Sequence, residues 1–426
     1  MVINNHSRIT YKNYNSFQYI FFICLLSLDF LLATNLNWSA ETRLKVENYH
    51  NDTTYTSATA SYFRGRINFD LTSNIYKVFF QLQDSRLLGG QNNSAGQTGL
   101  NETFVTFHQF YGQMNGSFSG KNKIQFGRFE MPLGNQRLFS RSNWGNHGRS
   151  FEGITSLRTT RRRSLLFFHL INTELYPMYD QYDYIVDGFY GTSKIKSLKS
   201  GQSKQTIDSD KIELDSKELL LDYYFFNENI VVNPGSNTKK RQTFGIRIIK
   251  QLSRFNLESE VAYQTGKYYS DDIQAYLLSL NLEVPTNFIP LTKSVSFTQE
   301  YISGDKHQLD DNDGILKGFA KPFGAGHKFH GYYDNPLHKK FVNNSHAGLN
   351  EWHIKTIHNI FPGLELLIKY HDFKDAINVN TYGQELNFVL SKNLPLGGKI
   401  IQGYSVYFSD NGKRLESGYF MLLFNI

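Results

Sequence analysis

Arginine recurs at Arg43, Arg64, Arg66, Arg86, Arg128, Arg158 and Arg247, on or beside polar positions, and Arg137, Arg141 and Arg149 share one connection. A guanidinium keeps its charge at any relevant pH and grips a carboxylate in a fork, so a set of them around one space favours anions. Low-dielectric walls strengthen such a field. The opposing use pairs them with acids on the same kind of face, Asp70, Asp222, Glu258, Glu260 and Glu385, which fills and stiffens a wall. Both uses are expected, with a subset left to act on solutes.

Other candidates for chemistry are thinner. The connection 303–349 mixes Asp305, Asp310, Asp311 and Asp313 with His307, His327, His330, His338 and His346. Asp311-x-Asp313-Gly314 is only part of a calcium loop, and neither HxH nor HExxH occurs, so no metal is expected there. A hydrated loop folding over a pore is the simpler reading. Phe323-Gly324-Ala325-Gly326 has no strand-to-helix context, and no nucleophile elbow or P-loop is present. His353 or His371 could serve a hydrolase embedded in a barrel, yet nothing selects a partner serine. No catalytic residue and no cofactor are expected, and the chain does not read as an enzyme.

Residues of this kind need rigid elements, and beyond residue 40 the sequence offers strands. Period-two alternation recurs to the last residue, while no 3.6-residue period is sustained. Phe63, Gly65, Ile67, Phe69 and Leu71 alternate with Arg64, Arg66, Asn68 and Asp70, and Leu386, Phe388 and Leu390 with Glu385, Asn387 and Ser391. Tyr276, Leu278, Leu280, Leu282 and Val284 oppose Ala275, Leu277, Ser279, Asn281 and Glu283. An apolar face of this sort rests either on a soluble core or in lipid.

Connection lengths favour lipid. Short ones fall at 72–74, 161–163, 252–254, 361–363 and 393–397, and longer polar ones at 87–100, 130–150 and 303–349. Tight turns at one end and long loops at the other predict an all-β, antiparallel up-and-down membrane barrel of about 18 strands, with short periplasmic turns and long extracellular loops. The segments 184–190 and 194–217 fit least well, the second reading as a long turn. Composition agrees: 35 Phe and 27 Tyr bring the aromatic share to 15%, while mean hydropathy is only -0.43. Such a chain suits aromatic girdles outside and polar residues inside. Phe420, Leu422, Phe424 and Ile426 end the chain on apolar residues at every second position, a last strand for barrel-assembly machinery to read, although its final residue is not aromatic.

Arg8 and Lys12 precede the apolar stretch at 17–32, which reads as a secretory signal peptide within residues 1–40, leaving 41–426 as the barrel. Cys24, the sole cysteine, lies inside that stretch, so no disulfide is expected. The net charge is +7, and the only basic run is Arg161-Arg162-Arg163, so nucleic acid is not an expected partner.

The segments 79–90 (FFQLQDSRLLGG) and 126–154 (FGRFEMPLGNQRLFSRSNWGNHGRSFEGI) resemble the signature of the bacterial alginate-export outer-membrane porin family. Later pieces follow in the expected order: TFGIRI at 243–248, AYQTG at 262–266, QAYLLSLNLEV at 274–284, EYISGD at 300–305, HKFHGYYD at 327–334 and GLNEWHIK at 348–355. The resemblance implies a monomeric outer-membrane barrel that lets an anionic polyuronate cross through an electropositive lumen. By that resemblance Arg128, Glu130, Gln136, Arg137, Trp144, Arg149, Phe151 and Glu152 belong to the lumen and loop set, and Asp84 and Arg86 to the earlier signature. Glu152 stands where the family carries Asp.

With the polar-face arginines, the expected substrate-facing set is Arg64, Arg66, Arg86, Arg128, Glu130, Arg137, Arg141, Arg149, Glu152, Arg158 and Arg247. The expected partners are outer-membrane lipid and an anionic polysaccharide. The alternatives are a porin for small anions or oligosaccharides and, from other classes, an embedded hydrolase or a soluble β-rich carbohydrate-binding protein.

Overall fold

The computed structural model describes residues 35–51, 56–88, 105–116, 121–172, 184–196, 218–233, 237–286, 289–305, 314–333, 347–377, 381–410 and 412–426. The first half supplies β1 (Asn35–Asn51), β2 (Thr56–Thr72), β3 (Tyr76–Leu88), β4 (Thr106–Gly116) and β5 (Lys121–Phe129). It continues with β6 (Phe151–Thr159), β7 (Arg163–Asn172), β8 (Tyr184–Lys196) and β9 (Glu218–Asn233). The second half supplies β10 (Asn237–Gln251), β11 (Asn256–Tyr268), β12 (Asp271–Pro285), β13 (Thr292–Ile302) and β14 (Ile315–Leu316). After the four-residue helix α1 (Gly326–Phe329) come β15 (Leu349–Phe361), β16 (Leu364–Lys374), β17 (Thr381–Asn393), β18 (Gly398–Ser409) and β19 (Arg414–Asn425).

Consecutive wall strands pair antiparallel, and β19 returns to β1 with Glu41 opposite Asn425 through to Tyr49 opposite Ser417. β13 pairs directly with β15, while two-residue β14 lies parallel to β12 beside Asp272 and Ile273, so the closed wall has eighteen strands. Closure removes the sheet edges that would otherwise expose unpaired backbone. The apolar stretch at 17–32 lies outside the described residues. β1 opens at Asn35, ahead of residue 41 where the sequence reading starts the barrel.

Burial decides which side the apolar face meets. Arg66 is 3% exposed and its neighbour Ile67 44%; Arg247 is 5% exposed and Ile246 52%. Charged residues face inward and apolar ones outward, the inverse of a soluble sheet and the arrangement lipid requires. Outward rings stack across strands, as in Phe69 on Phe80 and Tyr276 on Tyr301.

Every short turn expected from the sequence is present. Pro362-Gly363 joins β15 to β16 with Gly363 at φ +75, the proline-then-glycine order that a tight turn favours. The loop end carries the long connections 130–150 and 303–348, but also one of only two residues, 269–270. The turn end has one exception, the 197–217 connection, which lies outside the described residues.

Candidate functional site

Two connections from the loop end fold into the barrel and meet there. Phe139 bridges to Phe323, and the Ser140 N–H donates to the Phe323 carbonyl at 2.8 Å. Phe139 packs on Phe226 and Phe323, each with ring centroids 4.9 Å away, and Phe151 and Phe168 close the cluster. Apolar burial of this kind roots both loops to the inner faces of β6, β7 and β9.

The segment 134–138 (GNQRL) is a bend with Gly134 at φ +54 and Gln136 at φ +69. Left-handed backbone suits glycine but strains glutamine. Gln136 is held there by its own N–H donating to the Leu133 carbonyl at 2.9 Å, and by donation from Ala325 N–H to its carbonyl at 3.2 Å. The bend aims Asn135 Nδ2 at Glu258, 2.5 Å away, and Arg137 Nε at Glu260, 3.1 Å away, with Arg137 also paired to Glu300. From the second loop, Lys321 Nζ reaches Glu300 at 3.0 Å, and the amide of Gln264 clasps both backbone groups of Ala320.

On the other wall the polarity is reversed. Arg43 donates to the carbonyls of Asn143 at 2.6 Å and Gly145 at 2.8 Å, and Lys45 to that of Trp144 at 3.1 Å. Arg64 pairs with Glu41 at 2.5 Å and Arg66 with Gln83 at 2.6 Å. Trp144 stacks face to face on His327 of the second loop, centroids 3.6 Å apart.

At the root of the first loop, Glu130 lies 3.0 Å from His108 Nε2, 3.3 Å from Arg141 and 3.6 Å from Arg66. Burial alone would raise its carboxyl, but the His108 hydrogen bond and the charges of Arg66 and Arg141 outweigh that and hold it below the usual carboxylate range.

Of the expected set, the structure brings Arg64, Arg66, Glu130, Arg137, Arg141, Arg149 and Arg247 to the inside. Arg149 lies over the Phe323 ring at 5.7 Å, and Arg247 pairs with Asp222 at 2.5 Å and Glu258 at 3.2 Å. Arg86, Arg128, Glu152 and Arg158 are corrections, because they face outward. On β3 the buried positions are Gln81, Gln83 and Ser85, which leaves Asp84 and Arg86 on the opposite face, paired with each other at 2.8 Å. Arg128 shares the outward face of β5 with Ile124 and Phe126, and Glu152 and Arg158 that of β6 with Ile154. Arg128 meets Glu152 at 3.5 Å.

The expected substrate-facing set left out the inward cations Lys45, Lys321 and Lys369 and the inward acids Glu300 and Glu351, all buried, although alternation with Leu366, Ile368 and Tyr370 already puts Lys369 on a polar face. Strand parity was the available signal for the strand-borne ones, since Lys45 lies two residues from Arg43 and Glu300 two from Thr298.

The sequence model of the alginate export family matches residues 34–373. The chain belongs to the alginate export family. A search of curated proteins finds no match. Among solved structures, this alginate-export barrel is similar to Pseudomonas aeruginosa OccK2 (OpdF), crystallised with glucuronate, at TM-score 0.62 and 10% identity over 93% of this chain and 99% of that one. A BenF-like porin from Pseudomonas fluorescens Pf-5 gives TM-score 0.63 at 10% identity, over the same shares of the two chains. OccAB4 of Acinetobacter baumannii gives 0.57 at 10% identity, over 92% and 98%. Family and fold together make this an outer-membrane channel, with its apolar exterior in outer-membrane lipid.

Proposed function

We propose that the barrel passes an anionic polysaccharide, an alginate-like polyuronate, by passive diffusion along the basic wall on β1 and β2. The observation that carries this reading is the charge balance there. Arg43, Lys45, Arg64, Arg66, Arg141 and Lys77 face Glu41, Glu47, Glu130 and Asp70, six cations to four anions. Arg43 spends hydrogen bonds on carbonyl oxygens, which hold the side chain still without cancelling its formal charge, whereas Lys45 divides itself between the Trp144 carbonyl and the Glu47 carboxylate at 2.6 Å. Fixed cations spread along a low-dielectric wall offer a polyanion several shallow sites, so entry is favourable and exit remains possible. No energy source or cofactor is needed.

Single-channel recording in planar bilayers tests this. The expected result is anion preference, reversible block by polyuronate, and a several-fold loss of both in the double variant Arg43→Gln with Arg64→Gln. Cation preference in the parent would overturn the reading. Equal block by uronate monomers and polymers would instead favour a porin for small anions or oligosaccharides, a reading supported by the two loops that occupy the barrel interior.

A further inference from the structure

Glu351 and His353 lie two residues apart on the inner face of β15, and His371 on β16 is the direct cross-strand partner of His353. All three are buried, and the two imidazole rings are 4.7 Å apart. One donor atom from each residue lies within 4.8 Å of those of the other two. Glu351 Oε1 is 2.5 Å from His371 Nδ1 and 3.3 Å from His353 Nδ1, and Oε2 is 2.6 Å from Nδ1 of His330 in the second loop.

We propose that Glu351, His353 and His371 form a binding site for a divalent transition metal of the zinc class. Zinc takes imidazole nitrogen and carboxylate oxygen at about 2.0–2.2 Å in a tetrahedron, which sets donors roughly 3.4 Å apart. The 3.3 Å separation of His353 Nδ1 from Glu351 Oε1 is close to that value, while the 2.5 Å His371 contact must open by about 0.9 Å, a shift that rotation of the His371 ring or the Glu351 carboxylate supplies. Calcium and magnesium prefer all-oxygen sets, so two imidazoles select against them.

Three further features fit. Adjacent antiparallel strands hold the ligands rigidly, with one pair in register and the third at i−2 on the same face. Two of the nearby ammonium groups have other partners: Lys369 donates to the Phe329 carbonyl at 3.1 Å, and Lys321 lies 3.0 Å from Glu300 and 2.6 Å from His330 Nε2. Glu385, the cross-strand partner of His371 on β17, adds negative charge beside the site. Because His330 shares the Glu351 carboxylate, occupancy of the site is coupled to the seating of the second loop.

The test uses the full chain without an affinity tag, refolded in detergent and stripped with a chelator. Cobalt(II) is titrated in, its visible absorption reporting coordination, and zinc is then added to displace it. One cobalt per chain with a tetrahedral-type spectrum, displaced by zinc, is expected. His371→Ala and His353→Gln should each weaken binding beyond the roughly 10–100-fold that loss of an outer-shell partner causes, while His169→Gln, exposed on β7 beside Asp187, should bind as the parent does. Heat-modifiable migration on a gel shows which variants are folded. Failure of the parent to bind, or unchanged binding in a folded His353→Gln variant, overturns the proposal.

Discussion

On β1 and β2 the wall supplies the cations and the infolded loop supplies neutral oxygens, as where Arg43 and Lys45 hold the carbonyls of Asn143, Trp144 and Gly145. On β11 and β13 the arrangement is turned round: the wall supplies Glu258, Glu260 and Glu300, and the loops bring Asn135, Arg137 and Lys321 to them. Both walls anchor the first loop, and the acidic one also holds the second, yet they differ in what remains for a solute. Where a cation is satisfied by a carbonyl its charge persists, and where it meets a carboxylate the pair is nearly silent at a distance. The difference teaches that counting arginines does not measure an anion path; the partner of each one does.

The contrast breaks most sharply at Arg137. Removing it takes the guanidinium from between two buried carboxylates, leaving Glu260 to the neutral donors Asn135 and Tyr224 and Glu300 to Lys321. Breaking a buried pair by deleting one partner costs about 3–5 kcal/mol, so Arg137→Ala should unfold at markedly lower urea in a heat-modifiable migration assay. A change no larger than that of a surface substitution would show that the acidic wall does not hold the loop. Arg43→Ala should cost less, because the carbonyls it leaves are neutral.

A second way to sharpen the comparison is acid titration at the hinge of the first loop. Glu130 has its folded pKa held below its ordinary value of 4.5, so its stabilising contribution is fully present above that value and is lost as pH falls through the folded one. Glu130→Gln should cost about 1–3 kcal/mol at neutral pH and flatten the loss of stability on acidification. Urea midpoints compared at neutral and acid pH read both. A parallel acid response in parent and variant would remove Glu130 from the anchoring of Arg66 and Arg141.

Much of this architecture was legible because β-structure obeys parity. The alternation of Phe63 to Leu71 and of Tyr276 to Val284 predicts which side chain faces lipid, and the structure agrees at Ile67, Tyr276 and Leu278. The same parity read strictly would have turned Arg86, Arg128 and Arg158 outward, since each lies on the outward parity of its strand; residue type and family motif outweighed it. The inward bend at 134–138 was not legible. Its left-handed Gln136 depends on hydrogen bonds to Leu133 and Ala325, and the Ala325 contact comes from a loop far along the chain. Nor could spacing reveal the Glu351, His353 and His371 cluster, whose members converge only once β15 and β16 pair in register.

The smallest effect should come from the outward pair Arg128 and Glu152. Arg128 lies beside Phe126 and Ile124 on the exterior of β5, and its contact with Glu152 at 3.5 Å is partly exposed. Exposed ion pairs contribute about 0–1 kcal/mol, and a charge outside the wall is screened from the lumen by protein and lipid. Arg128→Ala should therefore leave both the urea midpoint and the anion preference near the parent values. A loss of anion preference matching that of the Arg43 and Arg64 double variant would mean that total basic charge, rather than the inward wall of β1 and β2, sets the field, and would erase the distinction between cations held by carbonyls and cations merely present.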